Sequence, residues 1–157
     1  MKARKLSSEE LSPLAAKLGG SLAAGSKTTV LSVPPDKVIE ACKGVSSLPG
    51  WYHLSMITGM DIGQDIAILY HFWQGRRFIQ VRTQVPKSAP RLKSITGDLA
   101  AGTIYEAEIQ DMLGVAFEGN PYLGKKLLLP DIYPPDAPPP LRKDSDVEKI
   151  KKMMRLE

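Results

Sequence analysis

The sequence predicts an α+β fold: a two-layer sandwich of helices packed on a mixed β-sheet, followed by an extended Pro-rich C-terminal strap. Three observations carry this. The first 85 residues read in the order α, β, α, β, β, β; three consecutive runs within them alternate at a period of two; and six prolines crowd the segment from Pro130 to Asp144. At 157 residues the chain is the size of one domain, expected over residues 1–129, with 130–157 forming the strap and a short terminal helix.

Each element has a local cause. Residues 7–19 suit a helix, because Ser7 and Glu10 have capping-box spacing and Leu11, Leu14, Ala15 and Leu18 share one face. Pro13 is awkward there, and a start at Ser12 with Pro13 in the first turn is the alternative; Gly19-Gly20 end the helix. "KTTVLSV" (27–33) is β-branched and strand-like, and Pro34-Pro35-Asp36 introduces a second helix that runs to about Ser47. "WYHLSMITGMD", "DIAILYHFW" and "RRFIQVRTQV" then alternate as strands, with a hairpin at Gln74-Gly75. In the middle run Ile66, Ile68, Tyr70 and Phe72 share one face and the other (Ala67, Leu69, His71 and Trp73) is also fairly apolar, which places it centrally in the sheet or under a partner.

Beyond Pro90, "SITGDLAAG" reads as a short helix or turn. Thr103 and Glu106 again have capping-box spacing, so a helix over 104–113 is expected, with Gly114 as its stop. On a helical wheel Ile104, Tyr105, Ile109, Met112 and Leu113 form an apolar arc; Glu106 and Asp111 lie at its edges and Glu108 inside it. A carboxylate on an apolar face needs a basic partner or a cover, because burying it unpaired costs several kcal/mol. Arg142 and Lys143 are the candidates within the chain. The strap also carries Leu127–Leu129, Ile132 and Tyr133, apolar residues that a free linker lacks, and this favours its lying along a neighbouring protein. Residues 146–155 form a final helix with Val147, Ile150, Met153 and Met154 as its stripe.

Composition excludes several classes. No apolar run approaches the ~20 residues that cross a bilayer, and the basic Met1–Lys5 leads into Ser-Ser-Glu-Glu rather than a signal-peptide core. A cytoplasmic protein is expected. The net charge of +4 is spread over Arg76-Arg77, Arg82 to Lys93, Lys125-Lys126 and Lys149 to Arg155, so no single nucleic-acid-binding face stands out. Cys42, His53 and His71 are too few for a cluster, which takes four Cys, or for a structural zinc site; Cys42 reads as a small buried hydrophobe. Glu106, Glu108 and Asp111 suit acid–base chemistry by type, but neither nucleophile nor histidine sits beside them.

The ordered series Tyr105-Glu106-Ala107-Glu108, Asp111-Met112-Leu113-Gly114-Val115, Phe117, Gly119-Asn120-Pro121, Leu128-Leu129-Pro130 and Pro140-Leu141-Arg142-Lys143-Asp144 is more specific. With "HLSMITGMDIG", "ILYHF" and "VPKSAPRLKSITGD" upstream, it spans about residues 51–144. It resembles the thirty-kilodalton (C-type) subunit family of respiratory complex I and its relatives in membrane-bound nickel–iron hydrogenases and F(420)H(2) dehydrogenases. The chain departs from the family pattern at Ala107 (an Arg in the Glu-Arg-Glu motif), at Asn120 (the His of Gly-His-Pro) and at Gly124-Lys125-Lys126, where an Arg pair is usual. These departures favour a divergent relative of the membrane-bound hydrogenase type.

The resemblance implies a non-catalytic hydrophilic-arm subunit of a membrane-bound, ion-translocating redox complex. Such a protein clasps the large catalytic subunit, either the D-like one of complex I or a hydrogenase large subunit, beside a neighbouring cluster-carrying subunit. It implies no cofactor in this chain, iron–sulfur clusters and possible nickel–iron in the partners, and membrane contact only through the complex. A place as the C-type subunit of an NADH or F(420)H(2):quinone or phenazine oxidoreductase is the alternative within the family. A free-standing acid–base enzyme and a basic nucleic-acid adaptor using Arg77, Phe78 and Arg82 are the alternatives outside it. The residues expected at the partner interface are Trp73, Glu106, Glu108, Asp111, Ile132, Tyr133, Leu141, Arg142, Lys143 and Asp144.

Overall fold

The computed structural model describes residues 8–50, 52–75 and 77–155, so the expected cap at Ser7 and the residues Trp51 and Arg76 lie outside it. The elements are α1 (Ser8–Lys17), β1 (Ser21–Ala24), β2 (Thr28–Ser32), α2 (Val38–Ser46), β3 (His53–Asp61), β4 (Asp65–Trp73), β5 (Phe78–Pro86), β6 (Arg91–Lys93), α3 (Gly102–Leu113), β7 (Ala116–Glu118) and α4 (Val147–Met153). The fold is α+β, as the alternation predicts. The main sheet runs β1-β2-β5-β4-β3 and is mixed, with β1 antiparallel and β5 parallel to β2. β6 and β7 form a separate parallel pair.

Two compact units divide the chain: Met1–Thr58 with Ile68–Gln84, and Gly59–Ala67 with Val85–Glu157. The strap, expected as a segment apart from residue 130 onward, falls within the second unit.

Apolar packing builds the first unit. Leu11 and Ala15 of α1 with Leu18 just after it, Val38, Ala41, Cys42 and Val45 of α2, and Leu31, Tyr70, Phe72, Ile79 and Val81 of the strands are all buried. Pro13 lies inside α1 rather than at its start. A short 3-10 turn, Pro35–Lys37, leads into α2. β1 is an unexpected strand. Its Ser-Leu-Ala-Ala sequence has little strand character of its own, and its register comes from β2 through a hairpin closed by Gly25 N–H donating to the Thr28 carbonyl at 2.8 Å. The β4–β5 hairpin closes from Gln74 N–H to the Arg77 carbonyl, with the Trp73 and Phe78 rings 4.4 Å apart across it.

In the second unit, Leu92, Ile95, Ala107, Ile109, Leu113, Val115 and Phe117 form the core. A Cβ on Gly59 would stand 2.5 Å from Leu113 Cδ1, so glycine is what lets α3 lie this close to the end of β3. Gly114 stops α3 in the left-handed conformation, at φ +74°, where its N–H donates to Gln110 O at 2.8 Å.

Candidate partner interface

α3 turns two of its three carboxylates inward. Glu106 is 0% exposed. Its Oε1 accepts from Ile95 N–H at 2.9 Å, while Oε2 accepts from Ser94 Oγ at 2.5 Å, Asn120 Nδ2 at 2.9 Å and Thr96 Oγ1 at 3.4 Å. Glu106 is therefore not the helix cap its spacing suggested. α3 begins at Gly102, so Glu106 lies past the first turn, and Thr103 Oγ1 donates instead to Ala100 O. Neutral donors satisfy the lone pairs of the buried carboxyl group, which is what permits its burial.

Asp111 is also buried within its own chain. Its Oδ2 accepts from three successive backbone amides, Leu127 at 2.7 Å, Leu128 at 2.6 Å and Leu129 at 3.1 Å. This grip fixes the start of the Leu-Leu-Leu-Pro segment. With Glu106 inside, the buried arc of α3 is rotated from the one expected: Ile104 is 43% exposed and Glu108 is half-buried. Glu108 pairs with no basic side chain among the described residues. Of the two partners expected for it, Arg142 turns its Nε to Leu113 O at 2.8 Å, and Lys143 is tied by its backbone, its N–H donating to Asp61 Oδ2 at 2.9 Å.

The strap is bonded to its own chain at several points. Lys126 Nζ donates to the carbonyls of Pro130, Asp131 and Tyr133 at 3.1–3.4 Å. Tyr133 is buried, and its hydroxyl donates to Pro138 O at 2.6 Å. Leu141 N–H donates to Met112 O. Lys87 Nζ stands 2.7 Å from Asp61 Oδ2 and 2.6 Å from Asp144 Oδ1. The Lys87 ammonium, with the Lys143 and Gly63 amides, holds the Asp61 carboxyl well below the usual carboxylate range. Asp144, and after it Asp61, raises the pKa of Lys87. An apolar cavity of about 380 Å³ remains between α3 and the strap, lined by Gln110, Gly114, Leu123, Leu129, Tyr133 and Pro139 among others.

The ten residues expected at the interface thus separate. Ile132, Leu141, Lys143 and Asp144 are exposed; Trp73, Glu108 and Arg142 are half-buried; Glu106, Asp111 and Tyr133 are buried in their own chain. Sequence reasoning missed Asn120, Asp61 and Lys87 as organising residues. Asp61 carried a usable signal, because Asp-Ile-Gly is an Asx-turn sequence and Gly63 N–H does donate to Asp61 Oδ1 at 2.8 Å. Among the described residues, nine of the eleven exposed large hydrophobics lie in the second unit, including Leu123, Leu128, Ile132, Leu141, Val147 and Met153. No three His, Cys, Asp or Glu side chains come together there or elsewhere among the described residues as a metal-binding group.

Residues 31–151 match the family model described as respiratory-chain NADH dehydrogenase, 30 Kd subunit. The chain belongs to that family. It is 31% identical over 124 residues to the C subunit of NADH-quinone oxidoreductase from Moorella thermoacetica, covering 76% of this chain and 81% of the relative. It is 34% identical over 82 residues to the C/D subunit of NADH-quinone oxidoreductase from Aeromonas salmonicida, covering 51% of this chain and 13% of that longer protein. Among solved structures, a chain of the membrane-bound sulfane sulfur reductase, an archaeal respiratory membrane complex, superposes with a TM-score of 0.76 at 23% identity, covering 92% of this chain and 89% of the other. That likeness is one of fold. In this 30 Kd family chain the carboxylates of Glu106 and Asp111 hold the backbone around α3 in place. No helix among the described residues is long and apolar enough to cross a membrane.

Proposed function

We propose that this 30 Kd family chain is a non-catalytic, positional subunit of a membrane-bound redox complex, and that the exposed apolar residues of its second unit clasp the large catalytic subunit. The single observation that carries this is where those residues lie. An apolar set concentrated in one unit, on backbone already held by the chain's own bonds, is what a protein-binding surface requires. The Aeromonas relative, a C/D subunit, supports a D-like large subunit as the neighbour. The chain's own contribution is then to hold its neighbour in place, and iron–sulfur or nickel–iron centres belong to the partners. Its place is at the cytoplasmic side of the membrane, through the complex.

The departures at Ala107, Asn120 and Gly124-Lys125-Lys126 favour a hydrogenase-type module over an NADH or F(420)H(2) oxidoreductase. Affinity purification of the tagged chain from native membranes, with mass spectrometry and metal analysis, tests both levels. A large subunit that co-purifies with nickel is the expected result. A nickel-free large subunit with quinone or phenazine reductase activity would move the assignment to the alternative within the family. Recovery of the chain alone would refute the clasp.

A further inference from the structure

The C-terminal segment is held at two separate places. Residues 126–133 are fixed by the Asp111 carboxylate and the Lys126 ammonium. Residues 141–144 are fixed by Leu141 N–H to Met112 O, Arg142 Nε to Leu113 O, Lys143 N–H to Asp61 Oδ2, and the ion pair of Asp144 with Lys87. The last two bonds converge on one cation. Lys87 is anchored by its own backbone, its N–H donating to Gln64 O at 2.9 Å, and its side chain, only 17% exposed, ends between those of Asp61, 2% exposed, and Asp144, 60% exposed.

The chain beyond this clamp has little to hold it. α4 has seven residues, is capped by Asp146 Oδ1 accepting from the Glu148 and Lys149 amides, and buries Ile150 alone. Val147 and Met153 are 55% and 43% exposed. A helix this short does not persist in water by propensity, so its position depends on the segment before it.

We propose that Lys87 is a latch: its ammonium, shared by Asp61 and Asp144, holds residues 143–144 and through them α4, and opening it frees residues 143–154 as a unit while the rest of the fold stays closed. The latch fixes where Val147 and Met153 are displayed. The half made with Asp144 is the exposed one and is screened by salt, whereas the half made with Asp61 is sheltered from it. The Asp144 pair therefore opens first.

Hydrogen exchange followed by mass spectrometry on the full chain tests this, because local opening is read segment by segment. In Lys87→Met the amides of 143–154 should exchange roughly tenfold faster, with those of β4 and α3 unchanged. Unchanged exchange in 143–154, or acceleration shared equally by β4 and α3, would overturn the proposal. Asp144→Asn, at an exposed position, keeps the test decisive if Lys87→Met folds poorly. It should give an increase of about threefold confined to 143–154, and no increase would count against the latch.

Discussion

Both compact units have apolar cores, but they differ in the polar groups they bury and the apolar ones they expose. The first buries apolar faces of α1, α2 and the strands, and among its described residues exposes only Met56 and Phe78 as large hydrophobics. The second holds four of the five buried polar or charged residues found among the described positions, Asp61, Glu106, Asp111 and Asn120, and leaves most of the exposed hydrophobics outside. The difference follows from backbone. Regular strands and helices satisfy their own N–H and C=O groups, whereas the chain from Leu127 to Ser145, with neither helix nor strand, must find other partners. Buried carboxylates and Lys126 supply them. Side chains that would otherwise fill a core are left facing outward, available to another protein.

The largest expected contrast is between one buried polar group in each unit. Glu106→Ala leaves Ile95 N–H and one Nδ2–H of Asn120 without their acceptor and should cost about 3–5 kcal/mol. In the first unit Thr83→Val removes a hydroxyl that is buried without a hydrogen-bond partner among the described residues. It should be neutral or stabilising by up to about 1 kcal/mol. Denaturant unfolding of both variants measures this, and comparable losses would erase the distinction between the units. Next in size, Asp111→Ala removes the acceptor of three amides and should cost about 2–3 kcal/mol, with faster exchange confined at first to Leu127–Leu129.

The smallest effect belongs to the first unit and to pH. His71 accepts from Gln80 Nε2 at Nδ1, at 3.1 Å, and donates from Nε2 to Thr58 Oγ1 at 2.8 Å. Burial lowers its pKa below the ordinary 6.5. The unfolded chain therefore takes up the proton first as pH falls. The stabilisation is complete above about pH 6.5 and declines below it, down through the lowered pKa of the folded state. His71→Gln should flatten that part of the stability profile; an unchanged slope would show that His71 does not set it.

Long elements were legible in the sequence. β3, β4 and β5 each extend over nine residues of alternating or apolar sequence, enough for their periodicity to stand out. β1, β6 and β7 have three or four residues each, too few for a period to show; β1 takes its register from the adjacent β2, and β6 and β7 pair with each other from opposite sides of α3. The prolines announced an irregular strap, but nothing local showed that Asp111 and Lys87 would hold it. Glu106 misled because its spacing from Thr103 matches a capping box, while its real partners, Ser94 to Thr96 and Asn120, are separated from it by ten to fourteen residues. Ile132 and Leu141 were legible as interface candidates because no run around them offered a core position.

The central claim, that the second unit grips a larger partner, is tested most directly by the paired substitution Ile132→Ser with Leu141→Ser. Both residues are more than half exposed, at 60% and 63%, so folding stability should change by less than about 0.5 kcal/mol. Retention of the large catalytic subunit on the tagged chain, purified from native membranes, should fall at least tenfold. A variant that folds normally and keeps its full complement of partner would contradict the account.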